Sequence, residues 1–417
     1  MISTALLTPE VLIIGAGPAG LTAAASLAGR VSGQVLVLDR EHRAGGIPRH
    51  SDHPGFGIRD MHKFLSGPTY ARRLIGAAEA AGATIVTQAM LTGWDATGDP
   101  EVTSPQGRFT MHAKAIVLAT GARERPRAAR LIPGDRPSGI YTSGELQNLV
   151  HLHHRAVGDR AVVVGAEPVS WSAVLTLRAA GARTVLMTTK YSSPESYGAF
   201  NIAGRLALRV PIATRTRVTR IVGSPYLQGI EIENVDTHIR RFIECDSVVF
   251  TGDWIPDNEL ARAARIKLDR GSLGPLVDTC LRTSRPGVFA AGNLIHPVDT
   301  ADVAALDGRH VAEQVIRWLA GRRPDPRAVR LCVEEPLRWI APGLLRPGDP
   351  APARRQLLLW TNENVRRPQL TATQDGHIIS QRRLAWPASP GRVFRIPSST
   401  VSPAVADGGD VTLRITR

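Results

Sequence analysis

The chain has 417 residues, 43% of them hydrophobic, with 51 basic and 37 acidic side chains and a formal charge of +14. That length predicts two or three domains with substantial cores, and the apolar content is ordinary for a globular protein. Only four basic residues are lysine (Lys63, Lys114, Lys190, Lys267), and the excess arginine is scattered rather than clustered. A nucleic-acid partner is therefore not expected, whereas an anionic cofactor, substrate or acidic partner would account for the charge.

Near the N-terminus, Val11–Ile14 reads as a buried strand running into Gly15-Ala16-Gly17-Pro18-Ala19-Gly20 and then an Ala-rich helix. Gly15 allows a tight turn, Gly17 lets backbone N–H groups approach a pyrophosphate, and Gly20 lets helix and strand pack closely. A diphosphate would sit at the positive end of that helix. A second strand, residues 34–38, ends in Asp39, where a ribose-binding carboxylate belongs. The glycines and proline that break this apolar run argue against a membrane span, and no signal peptide is expected before the first strand.

A Gly-, Pro- and His-rich loop, residues 41–57, follows. The pattern then predicts a helix over 70–81, a strand over 83–87, and a short buried strand over 115–119 ending in Thr120-Gly121. Residues 125–136, with two prolines and several arginines, read as a linker. A second strand–turn–helix begins at 161–164 and meets Gly165-Ala166-Glu167-Pro168-Val169-Ser170. Its helix (171–180) and strand (184–188) complete a second βαβ unit. A further strand over 288–291 leads into Gly292-Asn293 and a long amphipathic helix over about 302–320. Beyond residue 330, strand-like segments at 355–360, 369–373, 377–384, 393–396 and 411–415 predict a small β domain with a hairpin turn at Asp375-Gly376.

Cys245, Cys280 and Cys332 lie far apart and form no CxxC pair. This argues against a dithiol redox centre and against a zinc or iron–sulfur site built by this chain alone, so no metal ligands are assigned. A reducing, cytoplasmic setting is expected.

With both glycine turns, the Thr120-Gly121 strand end and the 288–293 segment, the chain resembles flavoproteins with two dinucleotide-binding domains, the pyridine nucleotide-disulfide oxidoreductase-like fold. Segments PRHSDHPGFG, ATGARERPRAARLIPGDRP and GNLIHPVDTADVAALDGR resemble the FAD subunits of multi-subunit dehydrogenases acting on amino acids, opines or glycerol 3-phosphate. The implied fold is α/β: two Rossmann-like βαβ dinucleotide-binding domains plus a small C-terminal β-rich domain. The FAD domain would be split between 1–125 and 246–330, with an NAD(P)H-binding-like domain inserted at 126–245 and the β-rich domain at 331–417.

The resemblance implies an FAD-dependent oxidoreductase subunit. It would pass electrons between a small, anionic substrate, its flavin and a partner redox subunit of an iron–sulfur kind. Gly15, Gly17, Ala19 and Gly20 would contact the FAD diphosphate, and Asp39 the adenosine ribose, with Arg40 beside it. Gly46, Thr120 and Gly121 would border the cofactor. Gly292 and Asn293 match a Gly-Asp pair whose acid bonds the ribityl chain or diphosphate region, here replaced by an amide. The helix beginning near Asp302 would point its positive end at the flavin pyrimidine. His50 and His53 would stand beside the flavin as acid/base groups, and Arg49 is a candidate anion holder. His296, Asp299 and Asp302 are candidate supporting groups, and Trp254 is expected to pack.

The second turn departs from its pattern: Glu167 and Ser170 stand where glycines belong, and the following strand ends Thr188-Thr189-Lys190 without an acid. Lys190 or Arg183 would be the alternative contact, to an NADP 2′-phosphate. Whether this domain takes NADH, NADPH or neither is open at the level of sequence. A self-sufficient NAD(P)H-dependent reductase and a non-catalytic flavin-binding scaffold are the competing functions.

Overall fold

In the computed structural model, which describes residues 7–297 and 299–416, the chain forms two compact units. One comprises residues 1–49, 54–122 and 256–417; the other, residues 50–53 and 123–255.

The first unit is organised by a five-stranded parallel sheet. Strand β1 (Val11–Ile14) runs into helix α1 (Pro18–Leu27) and returns through β2 (Val35–Leu38). Helix α2 (Gly67–Ala80) starts three residues before its expected position, with Pro68 in its first turn, where the missing N–H costs nothing. The spatial order is Val288–Ala290, Ala115–Leu118, β1, β2 and Thr84–Val86. Val288–Ala290 thus joins a sheet whose other members come from the first 120 residues. β1 and β2 are buried along their whole length, as expected for a parallel sheet covered on both faces.

The second unit repeats the plan. Its parallel sheet is ordered Ile140–Thr142, Ser247–Phe250, Arg160–Val164, Arg183–Thr188, Ile212–Ala213, with the helix Pro168–Ala179 as crossover. The predicted linker at 125–136 has no buried residue, but it is braced by its own arginines. Arg127–Arg130 forms a short 3-10 turn, and Arg127 donates to the carbonyls of Ile132 and Gly134. Arg130 donates to the Gly252 carbonyl and lies over the Phe250 ring. Arg127 and Arg130 thus brace a connector whose other residues are mostly exposed.

Residues beyond 328 fold as mostly antiparallel strands, with Val329–Val333 parallel to Val411–Thr416, around their own core, which includes Leu331, Leu357, Leu359, Leu370, Ile396 and Leu413. Gln369–Gln374 and His377–Arg383 pair through Asp375-Gly376, both at positive φ (50° and 80°), the conformation of a type I′ hairpin turn. Strands Val329–Val333 and Leu337–Ala341 add to those expected. Within the first unit, three of this region's arginines reach acids of the preceding segments. Arg395 pairs with Asp299 at 2.7 Å, Arg354 with Asp307 at 3.0 Å, and Arg346 with Asp278 at 3.1 Å.

Candidate functional site

The first glycine turn is shaped by what it cannot accommodate. A side chain at Gly15 (φ +107°) would place its Cβ 2.4 Å from the Ala119 carbonyl oxygen, and one at Gly20 would meet the Gly15 carbonyl at 1.9 Å. Gly17 is different: a Cβ there meets nothing within 4 Å. Gly17 caps α1 with extended backbone and no side-chain cap, and the first intrahelical bond runs from Leu21 N–H to the Gly17 carbonyl. The N–H groups of Ala19 and Gly20 therefore lie in a first turn without intrahelical acceptors, beside open space. That combination suits a diphosphate. Gly46 (φ +60°) lies against Gly17, a Cβ on it falling 2.8 Å from the Gly17 Cα, and Gly45 N–H donates to the Ala16 carbonyl.

Asp39 ends β2 as the sequence requires. One carboxylate oxygen accepts the Ala16 N–H at 2.7 Å and the other the Glu41 N–H at 2.9 Å. Burial raises its pKa despite these two backbone bonds. Each oxygen retains a lone pair for a ribose hydroxyl. Arg40 is exposed and paired with Asp257 at 3.2 Å. The Thr120 hydroxyl donates to the Asp257 carbonyl, and Asp257 N–H donates to the Gly121 carbonyl, tying the end of Ala115–Leu118 to the returning chain.

Gly292 and Asn293 begin a short 3-10 turn after the last strand. The Asn293 amide donates to the Asp299 carbonyl at 2.9 Å, and its Oδ1 is buried without a hydrogen-bond partner. A buried acceptor left unmade is costly, so this oxygen calls for a donor such as a ribityl hydroxyl. Asp302, in the first turn of helix Ala301–Leu319, is buried. It accepts the Arg59 N–H and the Val303 N–H, each at 3.0 Å, and the Thr300 hydroxyl. Its carboxylate, also paired with Arg59, already complements the helix's positive end, so the protein itself supplies much of the charge that end attracts.

Behind this loop the candidate His296 meets two groups that the sequence reading did not single out, Asp307 and Arg354. His296 Nε2 bonds to Asp307 in a buried pair, and Asp307 also takes Arg354. Burial alone would raise the Asp307 pKa; the charges of His296 and Arg354 outweigh it and hold the carboxyl below its usual range. The one available signal was an acid at position 307 on the apolar stripe Val303, Ala304, Val311.

Arg49 serves its own loop, donating to the Arg43 carbonyl and approaching Glu41 at 3.7 Å. His50 and His53 belong to the second unit: His50 is buried and His53 half-buried. Their segment is anchored through Ser51, whose hydroxyl donates to Gln147, which in turn donates to Ser172 of the second crossover helix. In the second unit, Lys190 lies over the Tyr191 ring. Arg183 opens its strand rather than ending it, about 17 Å from the carboxyl end where such folds bind nucleotides. It is thus misplaced for a 2′-phosphate.

The three cysteines carry no disulfide. Burial pushes the Cys245 and Cys280 thiols up to about 12. Asp278, Cys280 and Asp349 come close enough together to suggest a ligand group, but Arg282 and Arg346 already hold the carboxylates.

Two parallel-sheet βαβ units, the first with an open anion cradle and a buried acid at its second strand, define a flavin-dependent oxidoreductase of the two-dinucleotide-domain class. The chain belongs to the pyridine nucleotide-disulphide oxidoreductase family, whose model matches residues 9–308. It is accordingly an FAD-binding protein of a family in which NAD(P) is often used. An opine oxidase subunit of Rhizobium meliloti is 28% identical over 340 residues, covering 73% of this chain and 61% of that protein. Thioredoxin reductase of Streptomyces clavuligerus is 26% identical over 314 residues, covering 75% and 94%. The alpha subunit of sarcosine oxidase from Corynebacterium sp. (strain P-1) is 28% identical over 73% of this chain and 30% of its own length. The chain thus spans about three-fifths of that opine oxidase subunit, 61% of it, and nearly all of the thioredoxin reductase. The crystal structure of T. acidophilum thioredoxin reductase shares the fold, with a TM-score of 0.64 at 23% identity over 75% of this chain and 99% of that one. Among the described residues, no helix is long and apolar enough to cross a membrane.

Proposed function

We propose that this chain is the FAD subunit of a dehydrogenase that oxidises a small, anionic organic substrate and hands the electrons to a partner redox protein in the cytoplasm. The observation that carries the reading is the contrast between the open cradle at Gly17 and the cysteines, which are unpaired by disulfides, two of them held protonated by burial. A thiol held protonated is a poor nucleophile, so dithiol relay chemistry has little to work with. Bound FAD would supply the electron-accepting chemistry.

The chain's own residues bind and orient. The Ala19 and Gly20 amides and the approach at Gly17 would hold the diphosphate, and Asp39 the ribose, with Arg40 on the exposed adenosine side. Gly15 and Gly46 shape the turn, while Thr120 and Gly121 border the cofactor. Gly292 and the Asn293 Oδ1 would receive the ribityl side, and Asp302 fixes the start of the helix that follows. His50 and His53, four and seven residues beyond Gly46, are the proposed groups that take the substrate's proton. The domain division follows the same logic: an FAD domain in two parts (1–125 and 246–330), an inserted domain (126–245) and a β-rich domain (331–417).

The opine oxidase and sarcosine oxidase relatives are named as subunits, which supports a partner, of which an iron–sulfur protein is the proposed class. A second reading, a self-sufficient NAD(P)H-dependent reductase, is favoured by the complete second βαβ unit and by the thioredoxin reductase relatives. Substrate-driven dye reduction by the complex decides between these readings and a non-catalytic scaffold. With amino acids, opines and polyol phosphates as substrates, the His50→Ala/His53→Ala variant should lose roughly a hundredfold or more in rate while keeping flavin. A Cys245→Ser/Cys280→Ser/Cys332→Ser variant should keep its rate. Loss of activity in the serine variant, or flavin bleaching by NADPH or NADH alone, would contradict the reading.

A further inference from the structure

The two glycine turns align residue for residue: Gly15-Ala16-Gly17-Pro18-Ala19-Gly20 against Gly165-Ala166-Glu167-Pro168-Val169-Ser170. In each, the third residue caps the crossover helix with extended backbone, and proline follows. At Gly17 the space beside the backbone is open. At the equivalent place in the second unit, the Glu167 side chain fills it.

Glu167 is 2% exposed. Its carboxylate lies over the two glycines that end the central strands. A Cβ on Gly165 would meet Glu167 Oε2 at 2.7 Å, and one on Gly252 would meet its Cδ at 3.2 Å. Gly165 follows Arg160–Val164 and Gly252 closely follows Ser247–Phe250, neighbouring strands at the point where the order of the sheet reverses direction. That crevice is where an open α/β sheet binds a dinucleotide. Ser170 bonds to Thr251 at 2.7 Å, closing the same corner. The chain then covers the turn a second time: Ser196 N–H donates to the Ala166 carbonyl, and the neighbouring Glu195 accepts the Thr189 hydroxyl at 3.0 Å. Glu195 is thus an acid beside the end of the second strand, supplied by a loop, but it is turned inward and 5% exposed.

We propose that the second dinucleotide crevice is closed by the protein itself, with the Glu167 carboxyl occupying the diphosphate position, so that this domain takes neither NADH nor NADPH. The inference concerns the second unit alone and holds whichever molecule delivers electrons to the first. Burial raises the Glu167 pKa above the ordinary carboxylate value.

Calorimetric titration of the purified full-length flavoprotein with NADH and with NADPH tests this without any substrate or dye. The wild type should show no binding at about 1 mM of either. Glu167→Gly recreates the residue that the first turn carries and should gain at least tenfold in affinity for one of the two. Glu167→Gln keeps the side chain's volume and should stay closed. Wild-type binding at about 0.1 mM or tighter would overturn the proposal, whether or not the variants fold. So would a Glu167→Gly protein with wild-type melting behaviour that gains no binding, or a Glu167→Gln protein that binds like Glu167→Gly. Because the readout is nucleotide affinity, failure here leaves substrate-driven dye reduction to be judged separately.

Discussion

Asn293 illustrates how one substitution can be answered by its surroundings. An aspartate at this position would bind a flavin-side hydroxyl through a charge-assisted bond. Here the amide nitrogen donates to the Asp299 carbonyl, which a carboxylate cannot do, while Oδ1 stays buried and free to accept. Asn293→Ala should therefore weaken FAD binding about tenfold, the equivalent of about 1.4 kcal/mol, as read from fluorescence of released flavin. Asn293→Asp should not rescue tightness; a variant that binds FAD more strongly than wild type would contradict this account. Glu195 makes a separate prediction. Burial, with the nearby Glu167 charge, pushes its pKa up to about 8, against an ordinary value of 4.5. Between those values the folded state holds a proton that the unfolded state releases, so stability falls as pH rises through that window and levels off above it. One such proton is worth up to about 1.4 kcal/mol per pH unit. Denaturant unfolding from pH 5 to pH 8 should show the decline, and Glu195→Gln should flatten it; equal slopes in the two proteins would refute the assignment.

The segment from Gly292 to the helix Ala301–Leu319 is held from behind by arginines of the β-rich region. Arg395 binds both oxygens of Asp299, at 2.7 and 2.8 Å, and Asp299 in turn receives the Asn293 amide. Removing Arg395 leaves the Asp299 carboxylate buried without its cation, which costs about 3 kcal/mol or more when a buried pair is broken. Arg395→Ala should lower the melting temperature and speed FAD loss together; unchanged flavin retention would show that the β-rich region does not support this loop. Such links explain what the sequence displays and what it hides. The parallel strands, both glycine turns and the Asp375-Gly376 hairpin are legible because period, turn chemistry and spacing are local properties. Arg395 and Asp299 lie 96 positions apart, and Arg354 and Asp307 lie 47 apart, so no local pattern joins them. Residues 125–136 show the same limit, since the sequence of this exposed connector does not tell that the guanidiniums of Arg127 and Arg130 find carbonyls.

Over the whole molecule, one architectural plan is used twice with opposite outcomes. The first turn keeps glycine where a phosphate must approach; the second places a buried acid there. Arg282, Arg346, Arg354 and Arg395 are spent inside the fold, on Asp278, Asp299 and Asp307. The remaining charge suits an anionic cofactor and substrate. Everything functional depends on the first cradle holding FAD, and flavin content read from the absorbance spectrum of the purified chain is the most direct test. The wild type should carry about one FAD per chain, or take it up when supplied. Gly17→Glu, which transplants the second turn's residue into open space, should fold with unchanged circular dichroism and lose the flavin. A folded wild-type chain that stays colourless with added FAD, or a Gly17→Glu variant that keeps its full flavin content, would contradict the account.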